Sequence, residues 1–194
     1  MGVSNLPEQP WMKLSFVQQE LAIITDAVQG CAISQLLDSE STINNVLKTM
    51  EHSSWLHLAC HGQQDHSDPL KSGLLLHDGQ LELETIITAD LSSAKFVFLS
   101  ACETAMGDTK LGNEGMHLTG GFITAGFHGA IGTLWSMSDS AGPIVAKTVY
   151  NKVCERGDGL DVTLAAEGLH LAIQELRKQG LPYHQWMPFV HFGI

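Results

Sequence analysis

Two short apolar runs in this 194-residue chain end on residues that can do nucleophilic chemistry. The first is Trp55-Leu56-His57-Leu58-Ala59-Cys60-His61-Gly62, and the second is Phe96-Val97-Phe98-Leu99-Ser100-Ala101-Cys102-Glu103-Thr104. An imidazole at His61 and a thiol at Cys102 are the components of a cysteine nucleophile with its general base. The backbone N–H groups of Gly62 and Cys102 are the matching candidates for an oxyanion hole, since glycine allows close backbone approach. Asp65, Glu103 and Asp139 are the acidic residues that could orient His61 or line a substrate pocket. The sequence does not choose among them, and Asp139 fits equally a helix N-cap before Pro143.

The same strands offer competing roles for these residue types. Cys60 adjoins His61, but side chains alternate along a strand, which turns Cys60 toward the core. His57, Cys60, His61 and His66 raise the question of a metal. His57 and Cys60 fall on opposite strand faces, whereas zinc needs converging ligands, so no metal site is expected. Cys31 and Cys154 are read as structural, Trp135 and Trp186 as core, and His77 and His117 as surface or capping groups.

The elements that must position His61 and Cys102 follow from periodicity. Each motif run is a strand of about five or six residues, apolar on both faces, as in a parallel sheet covered by helices. In such sheets the carboxyl ends of the strands carry the site. Helices are expected over Phe16–Val28, from an N-cap at Ser41 or Thr42 through Met50, over Glu84–Ala89, Met116–Phe127, Pro143–Cys154 and Val162–Leu176. Further strands are expected at Cys31–Leu37, Ala130–Trp135 and Trp186–Phe192. Leu74–Leu83 reads as a hairpin turning at Asp78-Gly79 in a type I′ turn, with one solvated face. Thr104–Gly115 is a polar, glycine-containing loop suited to a movable, substrate-facing element. The β-α-β-α-β order predicts an α/β fold, with a mostly parallel central sheet layered between helices. Residues 1–13 read as a loop and 14–194 as the domain. A strand expected ahead of the first helix is missing from residues 1–12, which suggests an interrupted start.

Composition narrows the partners. A net charge of −11 argues against nucleic acid and anionic membranes, both of which select clustered Lys and Arg. No apolar run approaches the roughly 20 residues of a membrane span, and the first residues have no signal-peptide pattern. Four cysteines without tight spacing predict a reduced, cytoplasmic protein.

Five segments resemble the CHAT family, caspase-like domains usually found with tetratricopeptide (TPR) repeats. They are Leu58–Gly62, Leu74–Gly79, Leu99–Ala105, Gly126–Ser136 and Trp186–Gly193, in the family's order and covering most of the chain from about residue 14. The family is similar to caspases, separases and gingipain-type peptidases. The resemblance implies a caspase-like three-layer α/β/α sandwich with a small β-hairpin insertion. It also implies a histidine–cysteine dyad falling on His61 and Cys102. The expected activity is that of a cysteine endopeptidase acting on protein or peptide substrates, without a cofactor, within a larger repeat-containing signalling protein. Ser100-Ala101 stands where metacaspase-like enzymes carry an acidic residue, so a basic P1 preference is not implied. Two other readings remain open: an interaction module that keeps the fold without proteolysis, and an acyl-transfer or deamidating enzyme.

Overall fold

The two motif runs become adjacent parallel strands. In the computed structural model, which describes residues 1–7, 13–65, 67–100, 118–135, 140–157 and 159–194, β1 (Trp55–Leu58) pairs in register with β5 (Phe96–Leu99). The pairing matches Trp55 with Phe96 and Leu58 with Leu99. In chain order the elements are α1 (Val17–Ala27), α2 (Ile43–Glu51), β1, β2 (His61–Gln63), β3 (Gly73–Leu76), β4 (Gly79–Glu82) and α3 (Leu83–Thr88). They continue with β5, α4 (Leu118–Thr124), β6 (Gly129–Thr133), α5 (Ala141–Val153), α6 (Ala165–Lys178), α7 (Tyr183–Trp186) and β7 (Phe189–Gly193). The main sheet runs β1-β5-β6-β7, parallel except for β7, which is antiparallel to β6. A second, three-stranded antiparallel sheet is β2-β3-β4.

Strand alternation builds the three layers. Phe96, Phe98 and Ile131 face a core made with Val145, Val149 and Tyr150 of α5 and Leu169 and Leu176 of α6. Leu56, Leu58, Val97 and Leu99 face the other way, onto Val46 and Met50 of α2, Leu83 and Ile86 of α3, and Phe122 of α4. β5 is buried along its whole length, which explains its uninterrupted apolar sequence. Two glycines let α4 pack closely. A Cβ on Gly121 would lie 2.3 Å from Leu83 Cδ1, and one on Gly132 would lie 2.3 Å from Thr119 Oγ1.

Several expected elements differ in the structure. Cys31–Leu37 is not a strand: residues 32–35 are exposed and only Leu37 forms a bridge, to Gly2. A short apolar run with no ladder partner has nothing to fix it as a strand. Residues 1–7, the described part of the opening segment, form no regular strand, yet Gly2 bridges in parallel to both Leu37 and Ala59. Val3 N–H donates to Ala59 O at 2.9 Å, so the opening residues extend the edge of the sheet. The hairpin pairs Leu76 with Gly79, which makes His77 and Asp78 the turn residues. Neither has a positive φ, so the turn is not type I′; the positive φ, +147°, falls on Gly79. Asp78 serves α2 instead, its Oδ1 accepting from Ile43 N–H at 2.8 Å. The last segment forms a helical turn before β7, and the expected helix over Val162–Leu176 starts with a 3₁₀ turn, Val162–Leu164. Trp135 and Trp186 are half-buried, each with its indole N–H bonded to a backbone carbonyl, rather than enclosed in the core. Among the described residues, no helix is long and apolar enough to cross a membrane.

Candidate active site

The chain leaves β1 and β5 at the same edge. Ser100 N–H donates to Leu58 O at 2.9 Å, continuing the ladder to the last residue before each exit. His61 lies three residues beyond Leu58 and Cys102 two residues beyond Ser100. Cys102 and Glu103, with the rest of the expected loop Thr104–Gly115, lie outside the described residues, as do Asp139, His66 and His117.

His61 does not end β1, as the largely apolar run from Trp55 suggested. The strand stops at Leu58, Ala59 and Cys60 turn the chain, and His61 opens β2, paired with Leu75 of β3. The apolar run therefore crosses two sheets, and His61 is held half-buried by the hairpin rather than by β1. Gly62 follows in the same ladder, paired with Leu74 and buried.

Asp65 starts the loop that leads from β2 to β3. Its Oδ1 accepts from Ser67 N–H (2.8 Å), Ser67 Oγ–H (2.6 Å) and Asp68 N–H (3.0 Å). Those bonds, the Ser67 hydroxyl first, hold its pKa below the usual carboxylate range. Asp65 Oδ1 is thus committed to organising its own loop. Cys60 is fully buried, and burial pushes its thiol up to about 12, far from the thiolate needed for attack. Among the described residues, no group of three or more His, Cys, Asp or Glu side chains is arranged to hold a metal ion.

The structure adds a buried polar cluster that sequence reasoning missed. Glu20, on α1, places Oε1 3.1 Å from His57 Nε2, and Ser100 Oγ–H donates to its Oε2 at 3.0 Å. Glu20 Oε1 and His57 Nε2 face one another without meeting the geometry of a full hydrogen bond. Tyr150 OH lies 3.4 Å from His57 Nδ1. Burial lowers the His57 pKa against the opposing pull of Glu20, so the ring is neutral at neutral pH. The signal was present in the sequence: Glu20 falls on the Val17-Leu21-Ile24 stripe, and His57 interrupts an apolar strand.

A mostly parallel sheet between two helical layers, with β1 and β5 leaving it at a common edge, defines a caspase-like α/β fold. Among solved structures the chain is similar to the Arg-specific cysteine proteinase gingipain R, with a TM-score of 0.66 and 14% sequence identity. The match covers 91% of this chain and 41% of that one, so the chain spans less than half the length of that relative. Comparison with curated protein sequences finds no match. The profile of the CHAT domain family matches residues 3–194, and the chain belongs to that family.

Proposed function

We propose that this chain is a cysteine endopeptidase domain, cleaving peptide bonds in protein substrates with Cys102 as nucleophile and His61 as its base. One observation carries the reading: β1 and β5 are parallel neighbours, joined up to the Leu58–Ser100 hydrogen bond, so their exits toward His61 and Cys102 share one edge. Membership of the CHAT family and the caspase-like fold support it.

In this mechanism His61 takes the Cys102 proton, and the thiolate attacks the scissile carbonyl carbon. The carbonyl oxygen becomes an oxyanion received by the N–H groups of Gly62 and Cys102. Collapse breaks the C–N bond, His61 gives its proton to the leaving amine, and a thioester remains on Cys102. Water, deprotonated by His61, then attacks the thioester carbon; the C–S bond breaks, the carboxylic acid leaves, and His61 returns the proton to the Cys102 thiolate. Glu103, Asp139 or Asp65 orients the imidazole or lines the pocket. Of Ser100-Ala101, which stand where metacaspase-like enzymes carry an acid, Ser100 directs its hydroxyl to Glu20 and is 5% exposed, so it offers no charge to a basic P1 side chain. The domain acts in the cytoplasm as part of a larger TPR-containing signalling protein, where repeats and substrate are its partners.

The test is cleavage of a proteome-derived peptide library by the wild type and by Cys102→Ala. Cleavage by the wild type alone supports the peptidase and reveals its P1 residue. Equal product profiles from both proteins, or none from either, would remove it in favour of an interaction module on the same fold.

A further inference from the structure

Behind the edge where β5 ends, Glu20 is only 3% exposed although it carries a carboxylate. Taking an ionised group out of water costs several kcal/mol unless partners surround it, and an apolar replacement is often equally stable. A buried carboxylate is therefore better explained by what it orients than by the stability it adds.

Its contacts span four elements. From α1, Oε1 faces His57 of β1 and Oε2 accepts from Ser100 at the end of β5. A Cβ placed on Gly142 would lie 2.9 Å from Glu20 Oε2 and 3.0 Å from Ser100 Oγ, so the first turn of α5 closes directly over the pair. The positive end of that 13-residue helix favours a carboxylate there. Tyr150, further along α5, closes the cluster through His57. The group thus grips both the end of β5, two residues before Cys102, and the start of α5, two residues after Asp139.

We infer that Glu20 is a positioning residue: through the Ser100 hydroxyl it fixes the direction in which the chain leaves β5 toward Cys102. The inference rests on the peptidase reading above. A hydroxyl held by a buried carboxylate has one rotamer, and the backbone that carries it has correspondingly little freedom. Gln at position 20 keeps the shape of the side chain but removes the negative charge, so the bond accepted from Ser100 is no longer charge-assisted and holds the hydroxyl less firmly.

The experiment compares wild type with Glu20→Gln, Ser100→Ala and Gly142→Ala. Two quantities are read: kcat and KM on peptides the wild type cleaves, and the pH profile of Cys102 alkylation by iodoacetamide, followed by peptide mass. Misplacement of the reacting group by about 1 Å costs on the order of 10²-fold, so kcat should fall by about that factor with KM little changed. The alkylation midpoint should move toward that of a free thiol, near about 8.5. Slow amide exchange across Phe96–Leu99 confirms that each variant is folded. Should Glu20→Gln fail to fold, Ser100→Ala, which deletes one hydroxyl, decides the matter. Variants that melt lower, yet match wild type in kcat and in the Cys102 profile, would reduce Glu20 to a structural role and overturn the inference. A wild type that cleaves nothing would remove the peptidase reading alone, because the alkylation profile still judges Glu20.

Discussion

Acidification should destabilise this domain through His57, and the size of the effect can be bounded. His57 is 8% exposed, packs 4.9 Å from Phe98 between ring centroids, and is faced by Glu20 from α1 and Tyr150 from α5. Burial holds its folded pKa below the ordinary 6.5. A histidine depressed in this way contributes stability that is complete above the unfolded pKa and is lost as pH falls, because the unfolded chain takes up the proton first. Between pH 7.5 and 5.5 the loss from one such group is at most about 1.4 kcal/mol. For a chain of this size that lowers Tm by about 3–6 °C. His191, also depressed by burial, acts in the same direction. The assay is thermal unfolding at both pH values for wild type and His57→Gln. The variant should melt lower at pH 7.5 but lose up to about 1.4 kcal/mol less on acidification. Identical pH dependence in the two proteins, or a wild type that gains stability at pH 5.5, would refute the reasoning. The latter result would mean that His57 is protonated in the fold and ion-paired with Glu20.

Other consequences follow from single contacts. Cys60, with its thiol pushed up to about 12, should resist alkylation in the native protein at neutral pH and react only on unfolding, as time-resolved mass labelling would show. Gly121→Ala forces a Cβ to within 2.3 Å of Leu83 Cδ1 and should cost about 1–3 kcal/mol in denaturant unfolding, by shifting α4 from α3. Asp78→Ala removes the hydrogen bond to the first N–H of α2 and should cost about 1 kcal/mol, whereas Asp78→Asn retains most of it. Phe98→Ala empties a fully buried site under His57 and should cost about 3–5 kcal/mol in the same measurement.

The layered sheet was legible because β5 is apolar on both faces, and such a strand has no stable place except between two helical layers. The adjacency of β1 and β5 was also legible, and the ladder shows it, although His61 itself is carried by β2. What could not be read locally were the partners. Residues 55–62 read as one largely apolar run, yet the ladder divides them between two sheets at Ala59–Cys60. Asp78-Gly79 has the composition of a type I′ turn, but a tertiary bond from Ile43 claims Asp78 and the turn shifts by one residue. Ile33 and its neighbours looked like strand, and instead border a cleft of about 650 Å³ whose other wall includes Trp55 and His57. Glu20 was hidden by its type, because a glutamate on a helix is ordinarily a solvated residue. Its position on the buried stripe was the only local clue.

The central claim is that His61 and Cys102 form one catalytic unit, and intact-mass measurement of covalent trapping tests it most directly. A peptidyl acyloxymethyl ketone, built on the P1 residue found by library cleavage, should add one inhibitor mass to the wild type, mapped to Cys102. Addition should slow on the order of 10²-fold or more in His61→Ala, since the general base contributes about 10²–10⁴-fold. No adduct should form in Cys102→Ala. Equal trapping rates in wild type and His61→Ala, or an adduct that maps to another cysteine, would contradict the account.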